Sequence, residues 1–181
     1  PCDWLMVTID TSGCGTATGD TPAEACVTGT QNRRGCDGAR TVSRTAAGAS
    51  GGTTINDNTC SARDDWDDST TCWDANSDHT YRIYMLAGES LALRYETRDA
   101  CIGGSWNGTL KIFETEGGAS TACGAKVYCD YNETLHSATY LAPRDGWVVV
   151  VADGSSALVD DEGAYRLTLA LSCRDGFCRC G

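Results

Sequence analysis

Twelve cysteines constrain this chain more than any other feature of its sequence. They are spread over all 181 residues, and no two of them form a C-x-x-C pair: Cys2, Cys14, Cys26, Cys36, Cys60, Cys72, Cys101, Cys123, Cys129, Cys173, Cys178 and Cys180. Zinc and iron–sulfur sites normally use such pairs, and a c-type haem needs C-x-x-C-H. The even number predicts six disulfides and therefore a secreted protein, outside the cell or at its surface. Cys178 and Cys180 are too close to bridge each other easily, so each is expected to pair elsewhere.

The charge of the chain limits its partners. Its formal net charge is −11 at pH 7, and its only lysines are Lys111 and Lys126. Phosphate backbones and anionic membrane surfaces would be repelled, so we expect no nucleic-acid partner. No run approaches the roughly 18–20 apolar residues of a membrane span, so none is expected. Because the first residues lack a basic-then-apolar signal pattern, we expect a signal peptide to have been removed.

Residues 1–52 are too poor in large apolar side chains to fold alone by hydrophobic burial. We therefore treat them as a Gly/Thr/Ser-rich, disulfide-stapled N-terminal segment, docked on the main body or on a neighbour, and residues 53–181 as the main domain. One strand-like run in the segment is apolar on both faces, and its candidate interface residues are Trp4, Leu5, Met6, Val7 and Ile9. This run is either an edge strand of the chain's own sheet or a strand donated to another subunit.

The main domain reads as a series of short strands separated by turns. Thr80–Leu86 and Ser90–Thr97 predict an antiparallel hairpin. Further strands are predicted at 108–115, 125–129, 133–142, 146–152 and 163–172. The unbroken apolar run at 146–152 suggests a central strand. Together they predict an all-β, antiparallel, jelly-roll-like β-sandwich that is rich in disulfides.

Several of these strings, in their order and spacing, resemble the bacterial pre-peptidase C-terminal domain over about residues 51–173. The strings are Thr80–Ile83 with Leu86–Leu91, Gly108–Phe113, Ala142–Val150 and Gly163–Leu169. The resemblance implies a jelly-roll-like β-sandwich with a non-catalytic accessory role. It does not account for the cysteines or for residues 1–52, which have no counterpart in that family.

An acidic loop is the candidate metal site. Asp65, Asp67 and Asp68 belong to a run with four carboxylates in five residues. Ca²⁺ takes six to eight oxygen ligands from loops of this kind, although the spacing is not that of an EF-hand. The alternative is a solvated acidic face. We expect no required cofactor, with Ca²⁺ as a candidate ligand.

Three loop tryptophans are candidate glycan-binding residues, because exposed aromatic rings stack on sugars: Trp66, Trp73 and Trp106. The alternative is packing against the disulfides. Trp147 lies in a predicted strand and is expected in the core. Asn107 and Asn132 begin N-x-T sequons and are candidate glycosylation sites.

Three functional classes are considered: a hydrolase, a self-assembling structural subunit and a binding module. Gly48–Gly52 satisfies G-x-S-x-G, but this nucleophile motif needs a strand before it and a helix after it, and it lies in a linker. Neither His79 nor His136 is in a motif for a general base, and His136 is interpreted as a surface residue, so we expect no enzyme. The first interpretation is a self-assembling filament or surface-layer subunit. The second is a monomeric module that binds carbohydrate or a cell-surface protein, with or without calcium.

Overall fold

The computed structural model describes residues 39–60, 62, 72, 78–115, 123–155 and 162–173. This part of the chain forms nine strands and one short helix: β1 (Arg40–Thr41), α1 (Arg44–Ala47), β2 (Thr53–Asn58), β3 (His79–Met85), β4 (Ser90–Ala100), β5 (Gly108–Thr115), β6 (Cys123–Glu133), β7 (Leu135–Leu141), β8 (Gly146–Gly154) and β9 (Gly163–Ser172). The strands form two sheets, in the orders β1-β3-β8-β5-β6 and β2-β9-β4-β7. The predicted all-β sandwich is confirmed.

The core lies between the two sheets and follows from the alternation of side chains along each strand. On β9, Leu167 and Leu169 are fully buried, whereas Arg166 between them is exposed. On β4, Leu91 and Tyr95 are fully buried in the same way. Burial of each such aliphatic side chain contributes about 1.5–3 kcal/mol. The inward face predicted for 163–172 is confirmed.

Strand β8 is the central strand of the five-stranded sheet, as its unbroken apolar run predicts. Val148 and Val150 belong to the core between the sheets, and Val149 and Val151 form a second buried cluster with Phe113. Both faces of this strand are therefore covered, which explains why its sequence is apolar rather than alternating.

The predicted hairpin between Thr80–Leu86 and Ser90–Thr97 is wrong. Both strands form, but β3 pairs with β1 and β8, and β4 pairs with β7 and β9 in the other sheet. The connection between β3 and β4 crosses from one sheet to the other, and the Glu89 carboxylate in it points into the protein. Glu89 is 1% exposed and accepts a hydrogen bond from the Leu86 N–H at 2.7 Å. Gly88, with φ of 82°, permits the tight turn.

Residues 39–52 pack on this sandwich. Strand β1 pairs in parallel with β3, and Val42 and Ala47 join the main core. Arg44 donates to both carboxylate oxygens of Glu89, each at 2.7 Å, inside the protein. The end of the N-terminal segment thus docks on its own main domain. Residues 1–38, which include Trp4, Leu5, Met6, Val7 and Ile9, lie outside the described residues.

Two disulfides fasten the sandwich. Cys60, after β2, bonds Cys101, after β4, with a Cα–Cα distance of 5.4 Å. Cys72 bonds Cys129 on β6 with a Cα–Cα distance of 6.4 Å, and Cys173 is disulfide-bonded as well. These bonds confirm the disulfide-rich prediction and indicate an oxidising compartment. Outside the described residues lie Cys2, Cys14, Cys26, Cys36, Cys178, Cys180 and the side chain of Cys123.

Within the residues that the structure describes, no helix has the length and apolar character needed to cross a membrane.

Candidate binding cleft at one end of the sandwich

A shallow cleft of about 530 Å³ opens where β2, β4 and β9 meet. It is lined by Asn56, Asp57, Asn58, Arg98, Ala164 and Tyr165. The register of the sheet brings these residues together, because Asn56 lies opposite Arg166 and Asp57 lies opposite Tyr165. A bulge in β4 between Thr97 and Ala100 changes the direction of that strand near Arg98. The cleft therefore collects two amides, a carboxylate and a guanidinium, and Tyr165 backs it from inside.

The strand alternation divides the lining into an outer and an inner part. Asn56 and Asn58 are exposed, whereas Asp57 is half-buried between them. The Asp57 carboxylate accepts a hydrogen bond from the Tyr81 hydroxyl at 3.4 Å and lies 3.8 Å from Nδ1 of His79. Asp57 thus connects the open cleft to buried groups behind it.

Behind the cleft lies a chain of hydrogen bonds between the two sheets. The Tyr165 hydroxyl is 2.7 Å from Nδ1 of His79 and also contacts the Tyr81 hydroxyl. Tyr81 and Tyr165 are each 1% exposed, and His79 is 4% exposed. Each hydroxyl has one proton to donate, so the Tyr81 proton goes either to Tyr165 or to Asp57. This network fixes the floor and one wall of the cleft.

Burial sets the protonation of the network. Desolvation lowers the pKa of His79, and Arg40 lowers it further, while Asp57 opposes them. His79 is therefore neutral near pH 7, and its Nδ1 can accept the Tyr165 proton. Desolvation, the neighbouring Tyr81 and the Asp57 charge together raise the pKa of Tyr165 well above its usual value. The phenol stays protonated and serves as a hydrogen-bonding group.

The cleft is suited to holding a polar molecule. The amide N–H groups of Asn56 and Asn58 and the Arg98 guanidinium donate hydrogen bonds, and the Asp57 carboxylate accepts them. Within the protein, the Asn58 side-chain oxygen accepts from the Cys60 N–H at 2.7 Å, and Asp57 accepts from the Asn58 N–H at 2.9 Å. The chemistry that these groups support is directional hydrogen bonding with a ligand rich in hydroxyl or amide groups.

The structure corrects the glycan-stacking prediction for Trp106. Its ring is 1% exposed, its Nε1–H donates to the Ala164 carbonyl at 3.1 Å, and it packs edge-on against Tyr95. The ring fits because position 163 is glycine: a Cβ there would collide with the indole. Trp106 supports the β9 side of the cleft from inside. Trp66 and Trp73 lie outside the described residues.

Two further expectations also fail. Trp147 is half-buried on the outer face of its sheet, edge-on to Tyr84, with the Arg82 guanidinium 5.1 Å from its ring. His136 is fully buried rather than on the surface, and its ring stacks on Tyr95 at 5.6 Å. Its alternating position in a predicted strand suggested exposure, but the adjacent aromatic cluster encloses the imidazole.

The metal and glycosylation predictions remain open. Asp65, Asp67 and Asp68 lie outside the described residues, and the part of the chain that is described holds no group of three or more His, Cys, Asp or Glu side chains arranged for a metal. Asn107 is half-buried before β5, and the side chain of Asn132 lies outside the described residues.

The G-x-S-x-G string at Gly48–Gly52 has the reverse of the context that catalysis requires. Helix α1 precedes it and strand β2 follows it, whereas a nucleophile elbow follows a strand and begins a helix.

Sequence reasoning missed the cleft because it did not assign β2. Three polar residues in a row, such as Asn56, Asp57 and Asn58, are typical of loops. The signal that could have found them is the preceding Thr53–Ile55, which continues into them with strand alternation. The role of Arg98 depends on the bulge in β4, which the sequence does not reveal.

By sequence, no protein-family model and no curated protein matches this chain. Several solved structures are similar to it. A periplasmic inhibitor of g-type lysozyme from Aeromonas hydrophila (PliG) is 12% identical, with 74% of this chain and 96% of that chain covered and a TM-score of 0.43. CorA, a surface-associated copper-binding protein of Methylomicrobium album BG8, is 6% identical, with 74% and 98% covered and a TM-score of 0.47.

The pre-peptidase C-terminal domain of a collagenase from Bacillus anthracis is also among the similar structures. It is 11% identical, with 66% of this chain and 88% of that chain covered and a TM-score of 0.40. The β-sandwich itself rests on the two sheets described above.

Proposed function

We propose that this chain is a non-catalytic binding module, secreted or held at the cell surface, that binds a carbohydrate in the cleft between β2, β4 and β9. One observation carries the proposal: four hydrogen-bonding side chains, those of Asn56, Asp57, Asn58 and Arg98, line a cleft whose inner wall is fixed by a buried network. Fixed polar groups give a polar ligand its orientation at little entropic cost.

The chemistry of the lining supports binding rather than turnover. Asn56 and Asn58 present amides to solvent, and Arg98 adds charged donors at the same rim. Planar amide, carboxylate and guanidinium groups match the paired hydroxyls of sugars. The buried Tyr165 holds its proton because burial raises its pKa, so it is a poor nucleophile and a poor base.

The test is a glycan array with the full chain, followed by calorimetry on the best ligand. Asp57→Asn and Arg98→Gln each remove a charged partner, and we expect about 10- to 100-fold weaker binding. Arg144→Gln, at an exposed arginine that pairs with Glu114 on β5 of the other sheet, is the matched control and should bind normally. Absence of any glycan ligand, or equal affinities in all variants, would overturn the proposal.

Self-assembly into a filament or surface layer stays a prediction. It depends on Trp4, Leu5, Met6, Val7 and Ile9, and nothing among the described residues supports it. Light scattering of the non-reduced protein, with and without residues 1–15, distinguishes the two cases. Large particles that dissociate on truncation would favour assembly, and a monomer in both would exclude it.

Calcium binding by Asp65, Asp67 and Asp68 likewise stays a prediction. Calorimetry with Ca²⁺ and a melting curve in its presence test it directly. Neither heat nor a shift of Tm would remove calcium from the account.

A further inference from the structure

The outer face of the four-stranded sheet carries a charge opposite to that of the chain. Its outward-pointing charged side chains are Arg94 and Glu96 on β4 and Arg166 on β9, and Arg98 and Asp99 are both exposed in the bulge at the end of β4. Three guanidinium groups and two carboxylates give this region a net charge of +1, in a chain of −11. The charge pattern favours an anionic partner at this face.

Arg94, Arg98 and Arg166 surround the single carboxylate of Glu96, which cannot accept hydrogen bonds from all of their N–H donors. Arg166 lies directly opposite Glu96 in the register. Arg94 and Arg98 approach one oxygen of Glu96 at 3.9 and 3.6 Å, beyond good hydrogen-bond distance. The side chains of Arg94 and Arg98 are 55% and 40% exposed. Most of their N–H donors therefore face solvent.

The surface around Arg94 is formed by small side chains and leaves room for a ligand. The outward neighbours of Arg94 are small, because the register places Thr168 and Ser137 on either side of it and Ala170 and Thr139 on either side of Ala92. Outward positions two residues apart on a strand are separated by about 6.5 Å, so Arg94 and Arg98 lie about 13 Å apart along β4, with Glu96 between them. Arg166 lies beside Glu96 on β9. An extended polymer that lies along β4 can therefore contact all three guanidinium groups.

This face is continuous with the cleft. Arg98 lines the cleft together with Asn56 and Asn58, and Arg166 donates to the Asn56 side chain at 3.4 Å. A ligand that begins in the cleft and continues along β4 meets the amides first and then the three guanidinium groups that surround Glu96. The two regions together select a ligand with both hydroxyl and anionic groups.

We propose that the cleft and this arginine face bind a polysaccharide whose sugars carry carboxylates, that is, a uronate polymer. This inference rests on the proposed carbohydrate-binding function and names its ligand class. Guanidinium groups pair with carboxylates through two parallel hydrogen bonds. A more densely charged polymer, such as a nucleic acid, is disfavoured because the rest of the chain is strongly negative.

The test compares polygalacturonate with the same polymer after methyl esterification, which removes the charge and keeps the sugar. The full chain is titrated with both by calorimetry. We expect polygalacturonate to bind at least about ten-fold more tightly, with the difference shrinking from about 0.1 to about 1 M NaCl as the Debye length falls from about 10 to about 3 Å. Arg94→Gln with Arg166→Gln should weaken it about three- to ten-fold.

The matched control is Arg144→Gln, an exposed arginine that pairs with Glu114 away from this face, and it should bind as the wild type does. Equal binding of both polymers, or no loss in the double variant, would overturn the uronate inference and leave the cleft proposal intact if Asp57→Asn still weakens binding. Binding of neither polymer, with neutral glycans captured on the array, would also overturn the inference alone. No glycan binding of any kind would remove both.

Discussion

The buried ion pair between Arg44 and Glu89 should be a main support of the docked segment. Arg44 donates to both Glu89 oxygens at 2.7 Å and to the Tyr84 carbonyl at 2.7 Å. The two side chains are 7% and 2% exposed. In Arg44→Met, the Glu89 carboxylate keeps the Leu86 N–H at 2.7 Å but loses its cationic partner inside the protein.

The expected cost is about 3–5 kcal/mol, the usual loss when one member of a buried pair is removed. At an m-value of about 2 kcal/mol per M, the urea midpoint of the non-reduced protein should fall by about 2 M. Arg144→Met is the control, because Arg144 is 59% exposed and contacts Glu114 at 3.3 Å; it should cost less than about 1 kcal/mol.

The double variant Arg44→Met with Glu89→Gln removes the buried charge while keeping an acceptor for the Leu86 N–H. It should be more stable than Arg44→Met alone, because no uncompensated carboxylate remains. The reasoning is refuted if Arg44→Met costs no more than Arg144→Met. It is refuted equally if the two changes at Arg44 and Glu89 are additive.

Three further predictions concern stability, each measured as the urea midpoint without reductant. The pKa of His79 is lowered mainly by burial. Below about pH 6.5 the imidazole of the unfolded chain therefore binds a proton that the native imidazole does not bind, and the free energy of unfolding decreases as the pH is lowered. His79→Asn, whose amide oxygen replaces Nδ1, should lose less stability from pH 7 to 5 than the wild type; equal losses would contradict this. Trp106→Ala should cost about 3–5 kcal/mol although the residue lies in a loop, and a cost below about 1 kcal/mol would contradict its core position. Removal of the Cys60–Cys101 bond, with a sequence separation of 41, should cost about 4 kcal/mol in the double alanine variant; an unchanged midpoint would show that the bond does not restrain the unfolded chain.

The strands that alternate clearly were predictable from the sequence. The bounds predicted for 163–172 agree with β9, where one buried face fixes the period of two. The bounds predicted for 108–115 agree with β5, which is buried on both faces. The central place of β8 followed from its apolar run. In these strands the positions that are apolar in the sequence are the positions that the fold buries.

The predictions failed where pairing depended on side chains distant in sequence. The turn after β3 resembles a hairpin turn, yet Glu89 points inward to meet Arg44, 45 residues earlier, and the chain passes to the other sheet. Trp106 was predicted to be an exposed loop aromatic, because the space that holds its ring exists only where Gly163 on β9, distant in sequence, has no side chain. Neither partner can be identified from local periodicity.

The cleft could not be predicted for the same reason. Its residues come from the end of β2, from a bulge in β4 and from the start of β9, and each looks ordinary in its own stretch. Only the register that places Asp57 opposite Tyr165 brings them together.

The most direct test of the binding account is a ¹⁵N–¹H NMR titration of the full chain with the best glycan from the array. We predict that the perturbed amide signals cluster at Asn56, Asn58 and Arg98 and the strand positions beside them, and that Asp57→Asn suppresses the shifts. Shifts confined to another surface, or unchanged by Asp57→Asn, would contradict the assignment of the cleft as the ligand site.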